Sequence, residues 1–182
     1  DYSSAANGVG FVDVGWTALP ASQIPLTVPV AAPAGVYNAT LKVRNALLCE
    51  SATYNFTVTI EGTPVAGTLT KSPNVATVCA GTGVSATLTA GSGGNGTDEL
   101  DYSTNTGGTW ASYNSGDVIS TTGLSGANVV QIRTRRLGTV CANSAYTYAM
   151  WSVEATPVAQ TINKTPAGTH VCATGNASAT FS

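Results

Sequence analysis

Charge is scarce in this chain: 9% of its 182 residues are Asp, Glu, Lys or Arg, against roughly a quarter in an average soluble domain. Seven basic residues against nine acidic ones leave no cationic surplus, so nucleic acid is excluded as a partner and no polybasic membrane signal is present. Histidine is nearly missing, His170 being the sole one. That inventory, with no G-x-S-x-G, excludes Ser-His hydrolysis. No C-x-x-C pairs the cysteines for a metal, no P-loop pattern occurs, and no apolar run nears the roughly 20 residues of a membrane span. The opening Asp1-Tyr2-Ser3-Ser4 has no basic region leading into an apolar one, so a secretory signal is expected to lie outside this stretch.

Small residues fill the space that charge leaves. With 43% hydrophobic residues and a formal charge of -2, the chain does not have a disordered composition. Its Thr and Val favour pleated, half-buried strands, and its Gly, Asn and Pro favour turns.

A repeat organises the sequence. Thr63-Pro64-Val65-Ala66 returns as Thr156-Pro157-Val158-Ala159, and the same offset of 93 residues carries Lys71 onto Lys164, Pro73 onto Pro166 and Cys79 onto Cys172. Without gaps, 13 of the 27 positions from 63 to 89 match those from 156 to 182. Cys49 to Ala66 also resembles Cys141 to Ala159: a Cys, a Tyr-rich strand, an acidic residue and Thr-Pro-Val-Ala. This organisation divides the chain into the C-terminal part of one unit (1–62), a complete unit (63–156) and the N-terminal part of a third (157–182). A unit of that size suits an immunoglobulin-like β-sandwich, which takes about 100 residues.

Local patterns agree with an all-β reading. Val130, Ile132 and Thr134 alternate with Gln131, Arg133 and Arg135; Leu100 and Tyr102 alternate with Glu99, Asp101 and Ser103. Thr109 to Tyr113 reads as the return arm of a hairpin, Ser85 to Thr89, Val118 to Ser120 and Ala145 to Glu154 as further strands. In the first unit, strands are expected at Gly10–Val14, Ile24–Val28 and Val36–Val43. Tyr37, just after the Pro33-Ala34-Gly35 turn, matches a tyrosine corner, whose hydroxyl bonds back to the chain. No window has a persuasive helical period.

The repeat places one Cys near the first strands of a unit and one near its last. Cys79 is therefore expected to bridge to Cys141 within the complete unit, with Cys49 and Cys172 pairing outside the fragment. Disulfides would mean an oxidising exterior. Asp98, Glu99 and Asp101 could serve as Ca²⁺ ligands or glycosidase acids, but cross-strand pairing with Arg133 and Arg135 accounts for them better. The arginine cluster 133, 135 and 136 reads as a solvated strand face, not a polyanion site. Trp110 and Tyr113 are the candidate ligand-contact aromatics, for a glycan; core packing is the competing fate. Asn38, Asn55, Asn95, Asn163 and Asn176 each open an N-x-Ser/Thr triplet, a frequent chance event in this composition. No catalytic residue, metal ligand or cofactor is expected.

The runs Pro73 to Thr87, Gly91 to Gly94, Thr109 to Tyr113 and Ile119 to Leu124 resemble the tandem Ig-like repeats of giant Bacteroidota surface proteins, and Pro33 to Leu41 resembles the end of a related module. The resemblance implies a non-enzymatic, structural or adhesive role in a long secreted chain, exported by the type IX system in many cases, as an adhesin, gliding-related filament or surface coat. Its partners would be neighbouring repeats, other copies or surface proteins. A glycan-binding module and an accessory region of a larger secreted enzyme are the alternatives.

Overall fold

Four prolines between residues 20 and 33 remove backbone donors, and the first strand starts just after them. The computed structural model describes all residues but Ser125, Ala127, Thr169, Val171, Cys172 and Ser182. In chain order the elements are α1 (Ser4–Gly8), β1 (Gly35–Leu41), β2 (Tyr54–Ile60), β3 (Thr68–Ser72), β4 (Thr77–Cys79), β5 (Gly83–Thr89), β6 (Asp98–Ser103), β7 (Ala111–Ser112), β8 (Ile119–Ser120), β9 (Val129–Arg136), β10 (Thr147–Glu154), β11 (Ile162–Thr165) and β12 (Ser178–Phe181). With 38% strand and 3% helix the chain is mostly β, and among the described residues no sheet closes into a barrel.

A five-stranded sheet runs β4-β10-β9-β6-β7, and a three-stranded sheet runs β3-β5-β8. Among the described residues only β4 lies parallel to its neighbour, against the end of β10. The two sheets share one core, to which β5 gives Val84 and Ala86, β8 gives Ile119, β9 gives Val130 and Ile132, and β10 gives Ala149, Trp151 and Val153. The period-2 alternation read in β9 is the burial pattern observed: Val130, Ile132 and Thr134 are fully buried. Each such aliphatic side chain contributes about 1.5–3 kcal/mol when removed from water. Trp151 is also fully buried, and its indole N–H donates to Pro73 O at 2.9 Å. The hydroxyl of Thr134 donates to Glu99 O at 2.9 Å, and that of Thr121 to Thr82 O at 2.7 Å. No buried side-chain polar atom among the described residues lacks a partner.

The N-terminal part has its own small cluster of Ala6, Phe11 and Tyr37 beside the β1-β2 hairpin. Tyr37 donates to Pro33 O at 2.8 Å, four residues upstream, as the corner reading requires. The expected strands at Gly10–Val14 and Ile24–Val28 do not form. Pro25 and Pro29 deprive the second of ladder donors, and among the described residues the outer edge of β1 takes an isolated bridge from Tyr2. The short helix α1 was not expected; the Ser3 hydroxyl caps it by accepting the Ala6 N–H at 3.3 Å.

Pairing registers recur at the sequence offset. Tyr37 faces Val58 and Ala39 faces Phe56 in the β1-β2 hairpin; 93 residues on, Val130 faces Trp151 and Ile132 faces Ala149 in β9-β10. Leu69 faces Leu88 in β3-β5, and Ile162 faces Phe181 in β11-β12. The turns repeat as well. Ser51 accepts the Val43 N–H through its hydroxyl and returns its own N–H to Val43 O; Ser144 does the same with Arg136.

Candidate functional site

The structure does not form the expected bridge between Cys79 and Cys141. Cys79 ends β4 and pairs with Glu154, the last residue of β10, whereas Cys141 lies in the loop that precedes Thr147, the first residue of that strand. At about 3.3 Å per residue, β10 alone separates the two ends by about 23 Å. A disulfide needs Cα atoms within about 7 Å. Cys79, Cys141 and Cys49 are free thiols, so the expected Cys79–Cys141 pairing is corrected. Cys172 lies outside the described residues.

Tyr113 is likewise reassigned. It is buried, its hydroxyl accepting the Ala86 N–H at 2.9 Å and donating to Asp117 O at 2.6 Å. A side chain so committed packs the core and has no face to offer a glycan. Trp110 is half-exposed on the outer side of the five-stranded sheet. One face of its ring carries the Arg133 guanidinium at 3.8 Å, and Arg133 also lies over Tyr146 at 4.2 Å.

Paired charges line β6 and β9, two pairs on that outer side (Glu99–Arg135 and Asp101–Arg133) and one, Asp98–Arg136, on the opposite face at the strand ends. Asp98 faces Arg136, Glu99 faces Arg135 and Asp101 faces Arg133 in the β6-β9 register. All three pairs close as ion pairs, at 3.0, 2.7 and 3.1 Å respectively. The cross-strand reading of these carboxylates is the one observed. Burial works against the Glu99 carboxylate, but hydrogen bonds from Tyr146 (2.6 Å) and Arg135 outweigh it and hold its pKa below the ordinary range. Tyr146 is pushed up, by burial first and then by its bond to Glu99. Each arginine therefore has its acid, and the cluster is neutralised within the sheet.

The most specific polar arrangement is one that no sequence motif announced. The Glu61 carboxylate, just past β2, accepts the backbone N–H groups of Thr139, Val140 and Cys141, each at 2.7 Å. Successive N–H groups converging on one anion form a nest. Those bonds, Cys141 first, hold the Glu61 pKa below its ordinary value. The Cys141 sulfur lies 3.8 Å from Glu61 O, and burial followed by the Glu61 charge raises its thiol pKa. A second loop grips the same stretch. Gly94 N donates to Gly62 O at 2.8 Å, and Val65 and Ser92 exchange bonds at 2.9 and 3.0 Å. A Cβ on Gly93 would lie 2.1 Å from Thr63 O, so only glycine fits there. The one sequence signal for Glu61 was that an acid precedes Thr-Pro-Val-Ala twice, as Glu61 and as Glu154.

Among the described residues no three His, Cys, Asp or Glu side chains group to hold a metal ion, and no helix is long and apolar enough to cross a membrane. No family model matches the chain, and neither a curated protein nor a solved structure matches it.

Proposed function

We propose that this chain is a segment of an extracellular protein built from tandem immunoglobulin-like sandwiches, serving as a surface stalk, filament or coat. The observation that carries the reading is the recurrence of strand register and turn bonding every 93 residues. With it goes the grip of residues 61–65 by the 91–96 and 137–141 loops. Repeats with separate cores can add length without enlarging any one core. A carboxylate nest at the boundary limits bending in a way that Pro64, through its fixed φ, cannot do alone. The charge ladder solubilises the sheet without leaving a field of one sign. Secretion to the cell surface, by a type IX route, and partners among neighbouring repeats, other copies or surface proteins belong to the same proposal.

Protease shaving of intact producing cells tests it: peptides of this chain should be released without lysis, and their appearance only after lysis would overturn the extracellular reading. The glycan-binding alternative has less support because Arg133 covers one face of Trp110 and Tyr113 is buried. On a glycan array the chain should bind nothing that Trp110→Ala then loses.

A further inference from the structure

We propose that the cysteines link successive repeats, the Cys79 position of one repeat forming a disulfide with the Cys141 position of the next. The proposal rests on the tandem-repeat reading above. Its geometry comes from two described places that the 93-residue offset superposes. At the first, Glu61 holds the Cys141 loop: the Cys141 N–H is 2.7 Å from the carboxylate and its sulfur 3.8 Å from Glu61 O. At the second, Glu154, the counterpart of Glu61, is the ladder partner of Cys79, and both side chains are exposed. Ala80 N also donates to Glu154 O at 2.8 Å. Neighbouring strands lie about 4.7–4.9 Å apart, so the two side chains leave the sheet side by side. A following repeat seated on Glu154 as the Cys141 loop is seated on Glu61 therefore sets its own cysteine beside Cys79.

The same superposition explains why residues 63–156 carry a cysteine near each end and why the two do not meet. Cys49 is the loop cysteine of the first unit and would face backwards, to the preceding repeat. One substitution differs at the second boundary: Ala155 stands where Gly62 does. A Cβ on Gly62 would lie 3.3 Å from Gly93 Cα, so the loop must give by a few tenths of an ångström, well inside the reach of a disulfide.

Closure joins two sulfurs and releases two protons and two electrons. The acceptor is an external disulfide, of a thiol–disulfide exchange protein or oxidised glutathione, whose sulfur–sulfur bond breaks to give two thiols.

The test uses the full chain lengthened by one repeat, residues 1–155 followed by 63–182, with Cys49→Ser and Cys172→Ser throughout. One form keeps Cys79 in the first copy and Cys141 in the second, through Cys141→Ser and Cys79→Ser in the opposite copies. Another keeps both cysteines in the first copy alone. After equilibration in a glutathione redox buffer, free thiols are alkylated and disulfide peptides are quantified by mass spectrometry. The inter-copy form should be at least tenfold more bridged than the single-copy form. Closure of the single-copy form, or equal alkylation of both, would overturn the proposal. Solution scattering on the reduced forms separates the two claims. An elongated particle that stays fully alkylated refutes the disulfide and leaves the tandem reading intact, whereas a particle no longer than the original chain refutes both.

Discussion

Tyr113 brings a hydroxyl to a point where the backbone of β5 meets the turn before β8, and Trp151 fills the centre of the core. Removing the hydroxyl leaves the buried Ala86 N–H without its acceptor. Tyr113→Phe is therefore expected to cost about 1–3 kcal/mol, and Trp151→Ala about 3–5 kcal/mol, both read from urea unfolding. A Tyr113→Phe protein as stable as the parent would contradict the core assignment. Glu61 makes a prediction in pH. Its folded-state pKa lies below the ordinary 4.5 because three N–H groups favour the carboxylate. Its contribution is complete above 4.5 and is lost as pH falls through the depressed folded value. In an NMR titration the amide shifts of Thr139, Val140 and Cys141 should move together with a midpoint below 4.5, and Glu61→Gln should abolish that movement. A midpoint at or above 4.5 would show that the nest is not formed.

Among the elements, β6 and β9 were the most legible, because alternation fixes which face is buried and opposite charges fix which strands adjoin. Arg133 pairs with Asp101 and stacks on Trp110, so Trp110→Ala is expected to lower stability by about 0.5–1 kcal/mol. A double-mutant cycle on Arg133 and Asp101 should give a coupling of about 0.2–1 kcal/mol; zero coupling would mean that the pair is only solvated. Other elements were not legible, because their existence depends on what they pack against. Ile24 to Val28 has the residues of a strand, but alternation grants only local permission, and a strand also needs a neighbour with donors to exchange. Short β4 has a single buried residue, Val78, and depends on β10 for its existence. The sequence places two cysteines, Cys79 and Cys141, within residues 63–156, yet spacing cannot say at which end of a strand each emerges.

At the scale of the whole molecule, the 93-residue recurrence was plain in the sequence, whereas the contact between Glu61 and the 137–141 loop was not. A lone Glu before a Thr-Pro step looks like any surface acid, and only the folded 137–141 loop reveals three donors aimed at it. Gly93→Ala should loosen that boundary, since its Cβ would collide with Thr63 O, and faster amide exchange at Gly94 would register the change. The central claim is that 93-residue units add end to end. Small-angle scattering on chains carrying no, one and two extra copies of residues 63–155 tests it most directly. The account predicts a constant increment in maximum dimension per copy at an unchanged cross-sectional radius; a maximum dimension that levels off while the cross-section grows would contradict it.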